Sequence, residues 1–338
     1  MEQQFYAACH VDAAVVKASS SGGAFTAITD QWFSQYGKLA VVYGCAFDEN
    51  LTAKHIRAET LEERNRMRGS KYIGSDMSGV FRMVERDLCC GKYALFSGTP
   101  CQIGGLKAFL KTKGMPCGDQ LLTVEVVCHG VGSVRFFQDY LRTQERKYKG
   151  KTVSCSFRAK SRLGKKQDMY IRFDNGKKYN AASTKFDWFY SAYLRNLILR
   201  PSCYKCKYAS RQRVADISIA DCWGNTYDDL ADRSVIVINT EKGAKWLGLA
   251  RRDMAMKAIS WEQIHQPHML APCKKPEDYD QFWKCYQEKG YLATQKFLGN
   301  HTIKGYLRSW AVEVLYRLHM IELIKVTRYY AKRAMRKF

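Results

Sequence analysis

Residues 93–128 read YALFSGTPCQIGGLKAFLKTKGMPCGDQLLTVEVVC, and this stretch decides the fold. Two short apolar runs within it, YALFS (93–97) and LLTVEVVC (121–128), have the composition expected of buried strands. Residues 103–110, between the two runs, have helical composition. A strand, a helix and a strand in this order predict an α/β layer with a largely parallel sheet.

The same alternation extends toward the N-terminus. The run LAVVYGCAF (39–47) predicts another buried strand. Helical composition recurs at residues 22–36, 61–68 and 77–88. We therefore predict the α/β fold class with a mixed or parallel sheet as its core, and we assign residues 1–149 to an N-terminal α/β domain.

A second domain of α+β character is predicted over residues 150–300. Its strand-like runs are at residues 151–158, 169–175, 216–220 and 235–240. Asn175 and Gly176 form a hairpin turn signal after the second of these runs. The aromatic run FDWFYSAYLRNLIL (186–199) predicts a buried helix that leads into a pair of cysteines.

A basic amphipathic helical tail is predicted over residues 301–338. Apolar residues recur there at helical spacing, at Trp310, Val314, Leu315, Leu318, Ile321 and Ile324, and six Lys or Arg fall in the last eighteen positions. A helix of this kind lies on an anionic membrane or docks on a partner. Packing of the apolar stripe on its own domain is the commoner outcome, and it is the one that we favour.

The composition is that of a globular protein without a leader or a membrane span. The chain has 338 residues, of which 46% are hydrophobic, enough for a substantial buried core. Residues 1–12 carry two acids and no basic segment before an apolar run, so they do not resemble a secretory signal. No stretch approaches the roughly 20 apolar residues that a transmembrane helix needs. We therefore predict a cytoplasmic protein.

The formal net charge of +23 implies attraction to something acidic. Several kinds of partner would satisfy this attraction: an acidic electron-carrier protein, a phosphate-bearing cofactor, an anionic small-molecule substrate, nucleic acid or an anionic membrane surface. Charge alone does not choose among them. No recognition motif combines this charge with base-stacking aromatic residues in a known pattern, so nucleic-acid binding is not predicted.

The clearest local feature is the Cys-x-x-Cys pair formed by Cys203 and Cys206 in RPSCYKCK (200–207). The chain has 13 cysteines, and without an export signal they are expected to stay free or to bind metal. The pair is compatible with half of a zinc site, a redox-active dithiol or half of a 4Fe-4S site. The flanking Lys205 and Lys207 are expected to lower the thiol pKa values.

Two further cysteines each follow a predicted strand. Cys101 lies in SGTPCQ after YALF, and Cys128 begins CHG after LLTVEVV. Functional groups of open α/β sheets gather at the carboxyl ends of strands, so both are predicted to face one crevice. The alternative interpretation is that they are buried strand-end thiols with a packing role.

Three segments rich in Gly and Ser have the composition of anion-binding turns. They are SSSGG (19–23) before a predicted helix, RGSKY (68–72) and SGT (97–99). We call them the polar turns. Each offers backbone N–H groups and hydroxyls to phosphate, although none matches the dinucleotide fingerprint or the P-loop, and ordinary capping chemistry explains each one alone. Together they suggest a nucleotide-sized anionic ligand.

These segments, in this order, resemble the coenzyme F420 hydrogenase/dehydrogenase beta-subunit family, whose relatives include hydroxymethyl-chlorophyll reductase. The resemblance covers roughly residues 5–243. It is carried by SSSGGAFTA (19–27), VYGCAFDEN (42–50), RGSKY (68–72), LFSGTPCQIGGLKAFL (95–110), VCHGVGS (127–133), FRAK (157–160), RPSCYKCKYA (200–209) and ADISIADCWG (215–224). Eight ordered motifs are far more specific than any one of them.

The resemblance implies an iron-sulfur flavoprotein with FAD and one 4Fe-4S cluster. The cysteines that stand in family motifs are Cys101, Cys128, Cys203 and Cys206, the complement that such a cluster requires. The resemblance places the flavin against the polar turns, at Ser20, Ser21, Gly22, Gly23, Ser70, Lys71, Tyr72, Ser97, Gly98 and Thr99. Lys71 is expected either to offset phosphate charge or to lie near the flavin ring. Cys222 is a spare thiol or an alternative ligand.

The implied function is electron transfer between a hydride donor or acceptor, either coenzyme F420 or an organic substrate, and ferredoxin-type carriers. Family members commonly have a two-cluster ferredoxin-like segment before SSSGG, and this sequence begins about where that segment would end. We therefore expect a separate ferredoxin, or another electron-transfer subunit, as partner. The positive charge suits an acidic ferredoxin.

Two other functional hypotheses remain open at the level of sequence. In the first, the chain is a basic structural or binding protein whose Cys203 and Cys206 form a zinc or redox site, and the purified protein is colourless. In the second, it is a flavin protein without a cluster, or an inactive assembly subunit, because cluster ligation depends on four residues meeting in space. That protein would be yellow and contain no iron.

Overall fold

The computed structural model describes residues 2–115, 118–160, 168–180, 187–222, 233–264 and 266–298, together with Leu307, Ala311, Val314, Leu315, Leu318 and Met320. Most of the predicted helical tail (301–338) lies outside the described residues. The chain forms two compact units, Met1–Val134 with Leu199–Lys274, and Arg135–Ile198 with Lys275–Phe338. This division differs from the three consecutive domains predicted from the sequence, because residues 199–274 return to the first unit.

The described strands are β1 Gln4–His10, β2 Ala40–Phe47, β3 Ala53–Ala58, β4 Tyr93–Gly98, β5 Leu121–Val126, β6 Thr152–Ala159, β7 Asp168–Phe173, β8 Lys178–Asn180, β9 Ile217–Asp221, β10 Ser234–Ile238 and β11 Met254–Ala258. The described α-helices are α1 Ala13–Ala18, α2 Ala24–Tyr36, α3 Leu61–Asn65, α4 Val80–Cys89, α5 Pro100–Thr112, α6 Val134–Tyr148, α7 Trp188–Leu194, α8 Glu241–Ala250 and α9 Tyr279–Lys289. Short 3₁₀ helices lie at Gly37–Leu39, Pro201–Lys205, Arg251–Asp253, Trp261–Gln263, Pro267–Met269 and Tyr291–Leu298.

The first unit is built on an eight-stranded mixed sheet with the order β11-β1-β10-β9-β5-β4-β2-β3. The central strands β2, β4, β5 and β9 run parallel to one another. The outer pairs, β2 with β3 and the series β9-β10-β1-β11, are antiparallel. The carboxyl ends of the four parallel strands therefore lie along one edge of the sheet.

Both faces of the central strands are buried, which explains why their sequences are almost continuously apolar. Leu95 of β4 belongs to the cluster that includes Trp32 of α2 and Trp246 of α8. Its neighbour Phe96 belongs to a second cluster, with residues of α4 and α5. Alternate residues of one strand thus pack against different helix layers, as the period of two requires. The α/β fold class predicted from the sequence is confirmed.

The agreement is closest in the stretch with which the prediction began. The runs predicted as strands at 39–47, 93–97 and 121–128 correspond to β2, β4 and β5, and the predicted helix at 103–110 lies within α5. The sequence analysis missed β1, β3 and β11. A largely parallel sheet was too simple a prediction, because the missed strands all pair antiparallel.

The second unit has a three-stranded antiparallel sheet, β6-β7-β8, and an aromatic core. Phe136, Phe137, Phe157, Phe189 and Phe282 are fully buried there. The buried carboxylate of Asp187 accepts hydrogen bonds from the hydroxyls of Tyr140, at 2.5 Å, and Tyr179, at 3.0 Å. The same side chain caps the start of α7, so one buried acid organises this core.

Candidate functional site

Strand register brings Cys101 and Cys128 to the same edge of the sheet. Gly98 of β4 lies opposite Glu125 of β5, and each cysteine follows its strand residue by three positions. Cys101 lies in the first turn of α5, where Thr99 and Gln102 form a capping box. The Thr99 hydroxyl lies 3.2 Å from the Cys101 sulfur. The predicted juxtaposition follows from two parallel strands that end level with each other.

The loop after β5, residues 128–133, joins the Cys-x-x-Cys segment to the same edge. Gly132 forms a β-bridge with Leu199, and the Arg200 N–H donates to the carbonyl oxygen of Val131 at 2.9 Å. In return, the Val131 N–H lies 3.4 Å from the sulfur of Cys203 and donates to it. These main-chain contacts fix Cys203 beside the loop that begins with Cys128.

Gly130 is required in this loop for two reasons. Its φ is +155°, a backbone conformation that side chains rarely adopt. A Cβ there would lie 2.7 Å from a methyl group of Leu199, which is closer than carbon atoms pack. The glycine of the CHG motif therefore lets the segment that carries the Cys-x-x-Cys pair approach Cys128.

The electrostatics show that the four predicted cluster cysteines are neighbours. Burial, then the charges of Cys101, Cys203 and Cys206, raise the pKa of Cys128 well above its ordinary value. Burial, and the charges of Cys101 and Cys206, also raise the pKa of Cys203. We call Cys101, Cys128, Cys203 and Cys206 the four-cysteine group. Four thiolates this close repel one another, and a cationic centre bound among them would relieve that repulsion.

The spacing within the four-cysteine group is wider than a single metal ion needs. A zinc ion bound by thiolates at about 2.3 Å holds its sulfurs about 3.8 Å apart. In the described part of the chain, three possible ligand atoms within 4.8 Å of one another are found elsewhere and not among these four sulfurs. The donor set, four thiols at wider spacing, fits a cluster that takes one thiolate at each corner.

Two of the polar turns contact each other directly. The hydroxyl oxygen of Ser20 accepts a hydrogen bond from the Ser70 N–H at 2.9 Å and lies 3.1 Å from the Ser70 hydroxyl. Ser21 donates to the carbonyl oxygen of Arg233 at 2.8 Å, and Gly22 is buried. Gly23 is the N-cap residue of α2 and provides no side-chain hydrogen bond to the first turn. A helix start of this kind has backbone donors to offer an anion.

Lys71 is bonded to main-chain carbonyl oxygens of its own unit. Its ammonium group donates to the carbonyl oxygens of Cys45 at 2.9 Å, and of Met67 and Arg68 at 3.0 Å. Burial lowers the pKa of Lys71 to about 8. Its place beside a phosphate or a flavin ring stays a prediction, while the described contacts give it a structural task, which is to tie the RGSKY turn to the end of β2.

The polar turns are also connected to the four-cysteine group through the main chain. The Gly132 N–H donates to the carbonyl oxygen of Tyr72 at 3.2 Å, so the RGSKY turn lies beside the loop that begins at Cys128. The SGT turn, from Ser97 through Gly98 to Thr99, leads directly into Cys101. The buried ring of His55 lies 3.1 Å from the Ser97 carbonyl oxygen and fixes this turn.

The family model for the C terminus of the coenzyme F420 hydrogenase/dehydrogenase beta subunit matches residues 91–263, just over half of the chain. The chain belongs to the coenzyme F420 hydrogenase/dehydrogenase beta-subunit family. The family resemblance predicted from the sequence is thereby confirmed. The chain accordingly has an oxidoreductase-like role. The matched range contains the whole four-cysteine group and the SGT turn, and the other two polar turns precede it.

A solved structure with a similar fold is a chain of the F420-reducing [NiFe] hydrogenase complex from Methanosarcina barkeri. The TM-score is 0.53 with 17% sequence identity, over 87% of this chain and 90% of that chain. At this identity the likeness establishes the fold alone. No curated protein sequence matches the chain.

An arginine lies close enough to Cys203 of this beta-subunit family member to act on its thiol. Arg200 lowers the pKa of Cys203, although burial outweighs it and the net shift is upward. The contribution of Lys205 and Lys207 to the thiol pKa values stays a prediction. The ammonium group of Lys207 lies over the ring of Tyr208, 5.4 Å from its centroid.

A buried ion pair holds the segment after Cys206 in place, and the sequence pattern did not predict this pair. The guanidinium of Arg213 donates to the carboxylate of Glu125, and both side chains are buried. Arg213 also donates to the carbonyl oxygens of Tyr208, at 3.1 Å, and Ser210, at 2.9 Å. It thus ties the segment after Cys206 to β5. The partners are 88 positions apart in sequence, so local spacing gives no indication of the pair.

Cys222 follows β9, whose carboxyl end lies at the same edge. It packs against the apolar cluster of Ala7, Val235 and Val237. Its role as an alternative ligand stays a prediction.

No helix in the described residues has both the length and the apolar character needed to cross a membrane.

Proposed function

We propose that the chain is an iron-sulfur flavoprotein that transfers electrons between a hydride donor or acceptor and ferredoxin-type carriers. Coenzyme F420 and an organic molecule are the two classes of hydride partner. The observation that carries the proposal is the convergence of Cys101, Cys128, Cys203 and Cys206 at the carboxyl edge of the sheet, where burial and then the neighbouring thiols raise the pKa of Cys128 and of Cys203.

On this proposal the four-cysteine group holds a 4Fe-4S cluster. Backbone N–H groups already point at its sulfurs, from Gly130 to Cys128 and from Val131 to Cys203. N–H donors of this kind stabilise cluster thiolates and raise the reduction potential. The exposed position of Cys101, against the half-buried positions of the other three, would open one side of the cluster to an electron partner.

FAD is the second proposed cofactor, held by the polar turns. The uncapped start of α2 and the joined hydroxyls of Ser20 and Ser70 fit a phosphate-bearing ligand. Lys71 would act by holding the RGSKY turn in place, since its ammonium group is bonded to three carbonyls. When bound, FAD would supply the exchange between a two-electron hydride and single electrons.

The charge of the protein supports an acidic redox partner. A net charge of +23 would speed encounter with an acidic ferredoxin or electron-transfer subunit, and the same charge attracts an anionic cofactor or substrate. The structure with a similar fold comes from a complex named for F420 reduction, which makes F420 the first hydride partner to test.

The test is an anaerobic purification followed by measurement of iron, acid-labile sulfide and flavin. Cys101→Ala and Cys203→Ala proteins are purified in parallel. Cys90→Ala serves as the matched control, because Cys90 is exposed like Cys101 but caps the end of α4. We expect about four irons in the wild type and the control, and fewer than about one in either cluster variant.

A protein with these irons and about one FAD would then be assayed for reduction by F420 and by ferredoxin. A colourless protein that holds zinc or nothing contradicts the proposal and favours the binding-protein hypothesis. A yellow protein without iron contradicts the cluster and favours the flavin protein or assembly subunit.

A further inference from the structure

A second group of ligand side chains lies near the four-cysteine group and shares no residue with it. His129, His268 and Cys273 place their ligand atoms within 4.8 Å of one another. The two imidazole rings meet edge to face with centroids 4.3 Å apart. Three residues from two distant parts of the sequence thus converge on one point inside the first unit.

Each of the three residues is held by rigid neighbours. His129 lies two residues after Val127, whose N–H donates to the carbonyl oxygen of Ile219 at 2.9 Å. His268 lies in the short helix Pro267–Met269, where Met269 is fully buried. The side chain of Gln266 donates to the carbonyl oxygen of Asp221 at 2.6 Å and holds the start of that helix. Cys273 is itself buried.

The distances match the ligand sphere of one small metal ion. With bonds of about 2.3 Å to sulfur and about 2.0 Å to nitrogen, a tetrahedral zinc ion holds these atoms about 3.5 Å apart. The Cys273 sulfur lies 3.6 Å from Nδ1 of His268. The thiol now donates to the carbonyl oxygen of His129 at 2.8 Å, and metal binding would release that proton.

We propose that His129, His268 and Cys273 form a mononuclear zinc site with an open fourth position. Two imidazoles and one thiolate are the nitrogen and sulfur donors that zinc prefers, and three protein ligands leave room for water. The site would join the loop that begins at Cys128 to the segment after β11. It shares no ligand with the proposed cluster.

The protonation states of the ligands are compatible with this assignment. Burial and the neighbouring His129 lower the pKa of His268 to about 4, so its imidazole is neutral and has a lone pair at physiological pH. Burial and the charge of Cys203 raise the pKa of Cys273 to about 11. A divalent ion reverses the second effect, because it stabilises the thiolate directly.

The test measures zinc and iron together in protein purified anaerobically from zinc-supplemented cells and passed over a chelating resin. His268→Ala and Cys273→Ser are compared with Cys285→Ser, since Cys273 and Cys285 are both 6% exposed and Cys285 lies in the second unit. We expect about one zinc per chain in the wild type and the control, and a loss of at least tenfold in both ligand variants. Iron should stay unchanged.

X-ray absorption at the zinc edge of the wild type gives a readout that does not depend on the folding of any variant. We expect a mixed shell of nitrogen, one sulfur and one light atom. An all-sulfur shell, or absence of zinc from the wild type, overturns the proposal. Loss of iron in Cys273→Ser to the extent seen in Cys203→Ala also overturns it, because Cys273 would then be a cluster ligand.

Discussion

The four-cysteine group and the polar turns lie in the same unit, yet their side chains differ in whether they already have hydrogen-bond partners within the protein. The sulfurs are brought together by main-chain contacts, and burial, followed by the neighbouring thiols, raises the pKa of Cys128 and of Cys203. In the polar turns, Ser20 bonds to Ser70 and Lys71 bonds to carbonyl oxygens. The first region keeps its thiols protonated until a bound cation stabilises the thiolates, whereas the second is already satisfied by protein partners.

This difference indicates how much each region depends on its ligand. A set of close thiols is stabilised as thiolates by bound metal, so loss of the metal should lower the stability of this region strongly. Hydroxyls and ammonium groups that bond to their own chain keep their geometry without a ligand. We therefore expect large effects from changes at the cysteines and smaller ones from changes at the turns.

The largest effect is expected at Cys128. Cys128→Ser should lose nearly all bound iron, because a buried serine hydroxyl cannot replace the thiolate at one corner of the cluster. Cys155→Ser is the matched control, since burial raises the pKa of that thiol in the same way and it lies in the second unit. Iron analysis of both proteins makes the measurement. Equal iron in the two would remove Cys128 from the ligand set.

A pH effect of intermediate size is expected at His55. Burial lowers its pKa from 6.5 to about 4, and its ring bonds to Ser75 and to the Ser97 carbonyl oxygen. The unfolded chain therefore binds more protons between these pH values, and stability is lost as the pH falls from 6.5 to 4. The loss should reach about 3 kcal/mol in the free energy of unfolding.

Urea denaturation of the wild type and of His55→Gln across that pH range tests the linkage. The difference in unfolding free energy between the two proteins should shrink steadily as the pH falls. A difference that stays constant from pH 7 to pH 4 would show that His55 does not titrate in the folded protein as its burial requires.

Two adjacent glycines of α5 provide a matched pair beside Cys101. A Cβ at Gly104 would lie 2.4 Å from the hydroxyl oxygen of Tyr208, whereas one at Gly105 would lie 3.4 Å from the ring of Phe81. Gly104→Ala must displace Tyr208, two residues after Cys206, at a cost of about 1–3 kcal/mol, with some loss of iron. Gly105→Ala should be neutral or slightly stabilising, as expected for alanine in a helix. Thermal unfolding of both proteins distinguishes the two outcomes.

The smallest effect is expected in the polar turns. Ser20→Ala and Ser70→Ala should each cost about 1 kcal/mol, and the double variant should cost less than their sum because both remove the bond between the two hydroxyls. The bond from the Ser70 N–H is lost only in Ser20→Ala. A double-mutant cycle by urea denaturation measures this coupling. Strict additivity would show that the bond between the two hydroxyls contributes nothing to stability.

The sequence predicts the central strands well because both of their faces are buried. β2, β4 and β5 are apolar along nearly their whole length, which gives an unambiguous signal. β3 and β11 are edge strands with exposed or half-buried positions. Their sequences, AKHIRA and MAMKA, show no clear alternation of apolar and polar residues. Edge strands are half solvated, so composition identifies them less reliably.

The same distinction applies to the candidate sites. Cys101 and Cys128 could be placed together because each follows a parallel strand and strand ends converge. The direction of Lys71 could not be predicted, since it depends on carbonyl oxygens supplied by β2 and by residues 66–68. His268 and Cys273 lie more than 130 positions after His129, and no local spacing indicates that they meet.

The central claim is that the four-cysteine group holds a 4Fe-4S cluster, and anomalous diffraction at the iron edge tests it most directly. Crystals of the anaerobically purified protein should show one compact iron peak bounded by the sulfurs of Cys101, Cys128, Cys203 and Cys206. An iron peak at another place, a single metal ion on Cys203 and Cys206 alone, or no peak in a well-ordered site would contradict the account.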